Sequence, residues 1–303
     1  MQQLILLFLF FGAGLAFQKV KWLPQQSAHW LNAFVINISL PALALLHIPA
    51  ISFSAKLIFP VATAWIVFLL AVLLFKLLQS YMSWDKATVG CLILTCGLCN
   101  TSFIGFPIVK ALYGAEGMQT AILVDQPGSF LVLSTLGVIV GIVFSGSSAG
   151  PGIIFKKILF FPPFIAFLSA LLLKTINFEW PEMAESALSI IGATITPAAL
   201  LSVGLQLKIK GAGLSKKTAA IGLFYKLILA PLSIYLLYVL LFNQGGISTQ
   251  VSILLAAMAP MISGGILAIH FNLKPQLANF IVGVGIPIAF VTVSFWYLII
   301  SGL

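Results

Sequence analysis

The amino-acid sequence predicts an all-α polytopic membrane protein of ten transmembrane helices, built as two inverted five-helix repeats with broken, crossing helices at positions four and nine. Three observations lead there. The 303 residues are 61% apolar and only 7% charged, with mean hydropathy +1.17, whereas a soluble domain carries about 25% charged residues. Ten apolar runs follow one another with short loops, each near the roughly 20 residues a helix needs to cross a ~30 Å hydrocarbon core. The two halves also echo each other in a register that lays run four over run nine.

The runs are divided by Lys, Pro, Gly or Asn clusters. They cover 1–17, 30–48, 57–79, 88–113 and 117–144, then 153–173, 185–206, 217–242, 248–270 and 276–301. The first run lacks the pattern of a secretory leader, because no basic residue precedes it and Lys19 and Lys21 follow it. It reads as a span entered from outside. Residues 145–152, Ser-Gly-Ser-Ser-Ala-Gly-Pro-Gly, form a low-complexity linker between a first repeat, 1–144, and a second, 153–303.

All 15 basic residues are Lys, and the net charge is +9. They fall mostly between apolar runs, which is the pattern of membrane orientation and not of nucleic-acid binding. The odd-numbered loops carry Lys19, Lys21, Lys76, Lys86, Lys156, Lys157, Lys208, Lys210, Lys216, Lys217 and Lys274; the even-numbered ones carry Lys56, Lys110 and Lys174. The positive-inside bias therefore puts both termini outside the cell and the linker in the cytoplasm. Lys226 is left within run eight.

The self-similarity has an offset of about 157 residues, which lays Gln119 and Ala121 over Gln276 and Ala278. At nearly the same offset, Pro41-Ala-Leu-Ala-Leu-Leu matches Pro197-Ala-Ala-Leu-Leu. A unit of five spans is odd, so its second copy inserts upside down, the arrangement of many secondary transporters. Runs four and nine are interrupted at corresponding places, by Cys96-Gly-Leu-Cys-Asn-Thr-Ser-Phe-Ile-Gly-Phe-Pro107 and by Ala257-Met-Ala-Pro-Met-Ile-Ser-Gly-Gly265. Proline removes a backbone donor, and glycine tolerates the unwound conformations that follow. Either interruption alone would read as a kink or a packing site. Two in register predict unwound segments that cross inside the protein, since bare backbone is tolerable in a bilayer only under protein or in an aqueous cavity. Half-helix N-termini would there offer partial positive charge to an anion.

Candidate substrate contacts follow from that geometry. The first break supplies Asn100, Thr101, Ser102, Gly105 and Pro107, and the second supplies Pro260, Ser263, Gly264 and Gly265. Asn37 and Ser39 beside Pro41, and Thr194 and Thr196 beside Pro197, are candidates to line the cavity from the other side. The alternative for Asn100 is that its amide merely satisfies freed backbone carbonyls. Ionisable groups in mid-bilayer cost at least about 2.5 kcal/mol and carry a functional expectation by default; Asp125 and Lys226 are the two that stand out. The three cysteines, Cys91, Cys96 and Cys99, crowd one apolar run. Cys96 and Cys99 have metal-like spacing but no second ligand pair, so they read as small packing residues. His29, His47 and His270 are scattered, and no cofactor is implied.

These motifs resemble the auxin efflux carrier family, the PIN-like transporters of plants together with bacterial carriers of malonate, malate and related anions. The resemblance runs through Asn32 to Pro41, Asn100 to Pro107 with Tyr113-Gly114, and Asp125-Gln126. It continues in Pro197 to Gly204, Lys226 to Pro231, Pro260, and Asn272-Leu-Lys-Pro275. It implies a fold similar to bile-acid/sodium symporters and sodium/proton antiporters. Spans 1, 2, 6 and 7 would form a scaffold, and spans 3–5 and 8–10 a transport domain that moves like an elevator. It further implies a small organic anion as cargo, residence in the plasma (inner) membrane, and a homodimer as partner arrangement. The related antiporters pair an Asp and a Lys near the crossing, which suggests a similar pair in Asp125 and Lys226. That pair would either couple transport to protons or stay closed, with Lys226 neutralising half-helix C-termini. Sodium coupling would call for a carboxylate at the crossing, and none of the 6 acidic residues lies within either break, so proton, sodium or no coupling all stay open. A carrier-fold sensor binding a carboxylate or auxin-like ligand without flux is the competing reading. An intramembrane enzyme is disfavoured, because no paired aspartates, Ser/His dyad or His-Glu-x-x-His motif occurs within the spans.

Overall fold

A computed structural model describes residues 2–20, 23–24, 26–49, 58–146, 159–160, 162–206 and 215–303. The linker beyond Gly146 lies outside them. Among the described residues the regular structure is all helical, with one isolated antiparallel bridge. The first half runs α1 (Gln2–Phe17), α2 (Ser27–Phe34), α3 (Leu40–His47), α4 (Ile58–Tyr81), α5 (Lys86–Cys96), α6 (Phe106–Leu123) and α7 (Val138–Phe144). The second half runs α8 (Pro162–Thr175), α9 (Glu182–Ala193), α10 (Ile195–Gln206), α11 (Lys216–Phe224), α12 (Ala230–Tyr235), α13 (Gly246–Ala256), α14 (Ile262–His270) and α15 (Pro275–Ile300). Among the described residues six continuous helical stretches are long and apolar enough to cross a membrane: Ser27–Leu46, Ile58–Tyr81, Glu116–Phe144, Glu182–Ser202, Lys216–Leu241 and Pro275–Ile300. The protein is a multi-pass membrane protein.

Several of these stretches contain wide, π-helical turns, and three of the turns share one cause. Leu40, Phe106 and Ala230 each precede a proline, Pro41, Pro107 or Pro231, and each donates its N–H five residues back, to Val35, Thr101 or Tyr225. A proline ring clashes with the carbonyl four residues earlier, so the turn before it widens. The widening frees carbonyls, and one is recovered from afar: Trp296 Nε1 on α15 donates to Leu227 O at 2.9 Å.

Runs four and nine do break, at 97–100 and 257–261. Run four resumes as Thr101–Gly105 and the first part of α6, then reverses at Gly114, whose φ of 61° and ψ of −147° suit a residue without Cβ. Run nine resumes as α14 and turns through Asn272 and Lys274, both at positive φ, into α15.

Packing falls into two main sets of neighbours, which meet where α10 touches α14 and α15. α1 packs mainly on α10, α2 also on α10, and α3 on α8 and α9. Separately, α4, α5, α6, α13, α14 and α15 pack on one another and on the segment Val124–Phe130. In the first set the backbones of α1 and α10 touch at a pair of glycines. A Cβ on Gly14 would lie 2.6 Å from Leu201 O and 2.8 Å from Gly204 Cα, and one on Gly204 would lie 2.6 Å from Phe11 O. In the second set, Lys274 and Asp85 form a 2.6 Å ion pair that ties the start of α15 to the start of α5. Asp85 also caps α5 by accepting from Thr88 N at 2.8 Å.

Gly14→Val should therefore destabilise by about 1–3 kcal/mol or more, because backbone rather than a movable side chain stands in the way; thermal unfolding in detergent measures this. The Asp85–Lys274 pair gives a pH prediction. Partial burial raises the Asp85 carboxyl, but hydrogen bonds from Lys274 and Thr88 outweigh it and hold the group below its ordinary value of 3.8. A depressed carboxylate contributes its stability above the ordinary carboxylate range and loses it as pH falls through the lowered value. Both partners are substantially exposed, so an Asp85/Lys274 double-mutant cycle at pH 7 should give no more than about 1 kcal/mol, vanishing in strong acid.

Candidate functional site

The two breaks meet. Cys99 and Pro260 face each other as an antiparallel bridge, Asn100 N donates to Ala259 O at 3.0 Å, and Met261 N donates to Leu98 O at 3.3 Å. Backbone groups that the unwound segments would leave bare thus satisfy one another. α14 approaches α5 so closely that a Cβ on Gly264 would lie 2.2 Å from Leu94 O. One on Gly265 would lie 2.8 Å from Val282 Cγ2, against α15. Both glycines serve helix packing.

Two buried ionisable groups attend these helix ends. Lys226, fully buried in the π-turn Tyr225–Leu229, donates to Ala256 O, the last residue of α13, at 2.7 Å and to Cys99 Sγ at 3.0 Å. Its positive charge meets the partial negative charge of a helix C-terminus. Asp125, 2% exposed in the π-turn Val124–Phe130, lies at an opposite kind of end. Its Oδ1 accepts from the hydroxyls of Thr101 and, at 2.5 Å, Ser102, the first two residues after the break; its Oδ2 accepts from Gln126 Nε2 at 2.7 Å. The pair expected from the sequence is thus drawn to the breaks, and the described contacts of its two members run to different elements.

The remaining sequence candidates divide by environment. Asn100 is 1% exposed, and among the described residues neither its amide oxygen nor its nitrogen has a hydrogen-bond partner, so it satisfies no freed carbonyl there. Ser263 is likewise buried, with a hydroxyl that has no partner among the described residues. Pro260 is buried in the second break, and Gly105 is buried at the end of the turn Thr101–Gly105 that follows the first. Farther away, Ser39 Oγ and Thr194 Oγ1 lie 2.9 Å apart and join the segment after α2 to the end of α9, while Pro41 is half-buried at the start of α3. Asn37 is exposed and donates to Ala33 O within its own helix at 2.8 Å. The side chains of Pro107 and Thr196 lie outside what the structure describes.

Sequence reasoning gave Gln126 no role beyond the motif Asp125-Gln126 and read Cys99 as a small packing residue. Gln126 is the residue beside Asp125 and binds its carboxylate; Cys99 takes the Lys226 ammonium. The adjacency of Gln126 to an intramembrane Asp signalled it, and the place of Cys99 inside the first interruption was the signal for that residue. Lys226→Met should leave the Ala256 carbonyl without its charged donor, costing about 1–3 kcal/mol in thermal unfolding. Lys226→Met with an unchanged midpoint would show that the ammonium does not hold α13 in place.

Comparison with known proteins bears on this geometry. The chain matches the family described as membrane transport protein over residues 1–144 and 152–297. It is 25% identical over 281 residues to an uncharacterized transporter of Methanothermobacter thermautotrophicus, covering 92% of this chain and 91% of the relative. A second uncharacterized transporter, from Methanocaldococcus jannaschii, is 25% identical over 281 residues, covering 90% of each.

Proposed function

The chain belongs to this membrane transport protein family, the auxin efflux carriers that its motifs resemble, and from that premise we propose that it is a secondary transporter of a small organic anion. The cargo class is a mono- or dicarboxylate such as malonate or malate, moved by elevator-like alternating access. The observation that carries this reading is Asn100, a buried amide with no hydrogen-bond partner among the described residues, at the meeting point of two broken helices. Burying polar atoms without partners costs free energy unless something else engages them. An amide donor beside a half-helix N-terminus suits a carboxylate, because it adds no fixed charge that would hold the cargo against release.

In this reading the paired breaks ride in a transport domain made of α4 to α7 and α11 to α15, while α1 to α3 and α8 to α10 form the scaffold. The two sets of packing neighbours support that division. The ten-span, inverted-repeat topology is part of the same proposal, supported by the matching order of break, resumed helix and turn in the two halves. The excess of Lys in odd-numbered loops supports an inner-membrane orientation with both termini outside the cytoplasm.

Purified protein in liposomes should accumulate labelled malonate or malate down an imposed gradient, and binding without flux would point to a sensor. Asn100→Ala should lower apparent affinity about tenfold or more, since a hydrogen bond to a charged group contributes about 1.5–3 kcal/mol. Its thermal stability should change little, because the amide has no protein partner to lose. A variant that transports like the parent would remove Asn100 from the binding role.

A further inference from the structure

We propose that the cleft between α1, α2, α10 and α15 is a binding site for a lipid with an uncharged, hydroxyl-bearing head, of the monoacylglycerol class. The cleft has a volume of about 560 Å³, within the roughly 300–1,000 Å³ of small-molecule sites. Four helix ends wall it. Phe17 ends α1, Ser27 begins α2, Leu205 is the next-to-last residue of α10, and Pro275 begins α15. These ends adjoin the first, seventh and ninth loops, all on the Lys-rich side. Ends of spanning helices mark the border of the hydrocarbon, so the cleft lies where lipid heads meet acyl chains.

The lining selects the chemistry. Phe17, Leu23 and Leu205 supply apolar surface, while Gln18, Ser27, Gln276 and Asn279 supply neutral polar groups. Among the described residues no charged side chain lines the cleft, which disfavours a carboxylate, since charged groups bind best to charged partners. Asn279 is 3% exposed, and its amide oxygen has no hydrogen-bond partner among the described residues. A buried amide in that state costs free energy that a suitable ligand recovers. A hydroxyl both donates and accepts, so it serves either arm of the amide. A glycerol head brings such hydroxyls, and its acyl chain continues the apolar wall into the hydrocarbon. The contrast lies close by: a second cavity of about 370 Å³, beside Asp85, is lined by Lys217 and Lys274 and suits a charged head instead.

The cleft lies where α10 and α15 touch, and these helices belong to different sets of packing neighbours. A lipid seated there contacts both sets at once. Its effect on transport rests on the function proposed above. A ligand that fits the cleft only in the described arrangement shifts the population towards that arrangement and slows the movement of one set past the other. None of the lining residues belongs to either break, so the lipid does not compete with the anion.

The probe is monolaurin with a photoreactive diazirine in its acyl chain, added to the purified full chain in phosphatidylcholine nanodiscs, with labelled positions mapped by mass spectrometry. Saturable labelling at Phe17, Leu23 and Leu205, displaced by unlabelled monolaurin and not by methyl laurate, supports the site. Asn279→Leu should raise the half-saturating concentration about fivefold, the effect of one lost neutral hydrogen bond. Should that variant fail to fold, Ser27→Trp makes the same distinction, because it fills the cleft from a half-buried position at the start of α2 and should abolish the labelling. Labelling that does not saturate, or that spreads over the lipid-facing helices, overturns the proposal. Equal displacement by methyl laurate or by the laurate anion overturns the hydroxyl head, and displacement by malonate overturns the separation from the anion. In liposomes monolaurin should lower maximal malonate flux severalfold and leave its half-saturating concentration unchanged; flux that ignores monolaurin overturns the effect on movement. Labelling of the cleft in a chain that moves no anion would retain the lipid site and remove the transport reading, and flux without cleft labelling would do the reverse.

Discussion

A hydrocarbon interior offers no water to an unwound backbone, and that constraint organises the centre of this protein. Two helical runs are interrupted inside the protein, and each interruption exposes N–H and C=O groups that would cost several kcal/mol apiece if left bare. They meet at Cys99 and Pro260 and exchange hydrogen bonds through Asn100 N to Ala259 O and Met261 N to Leu98 O. Neither break is tolerable without the other. Everything near them, from Gly264 against the Leu94 carbonyl to α15 behind Gly265, is shaped to let those two segments touch.

Breaking a helix creates new ends, and new ends carry partial charge. The protein answers with the two ionisable residues it keeps in the membrane. Lys226 reaches the C-terminal carbonyl of α13, and Asp125 gathers the hydroxyls at the start of the resumed helix after the first break. A Lys at a negative end and an Asp at a positive end are each favoured locally. The same arrangement leaves Asn100 and Gln126 with buried polar atoms that the fold does not use. Backbone pairing and end charges hold the break, and the proposed binding draws on the amide of Asn100 beside it.

The prolines show how one local rule is reused. Pro41, Pro107 and Pro231 each follow a residue bonded five positions back, so each opens a wide turn at a predictable spot. Two of those turns carry residues that attend the breaks, Thr101 with Ser102 and Lys226. Where a freed carbonyl is recovered, the donor comes from far along the chain, as with Trp296 and Leu227.

The sequence by itself determined that this is a membrane protein, where its apolar runs lie, and that runs four and nine are interrupted. Those properties follow from composition, from Pro and Gly placement, and from the scarcity of charge, which singles out Asp125 and Lys226. It also placed Asp125 and Lys226 near the crossing and Gly264 and Gly265 within the second break. Only the tertiary structure decided what these residues touch: α5 and α15 approach the two glycines closely, and the hydroxyls of Thr101 and Ser102 bring Asp125 to the first break. The reason is one of range. Hydropathy and backbone chemistry act within a few neighbouring residues, whereas Asp125 is 24 positions from Thr101 and Lys226 is 30 from Ala256. Which helix end each charge serves depends on how the spans pack.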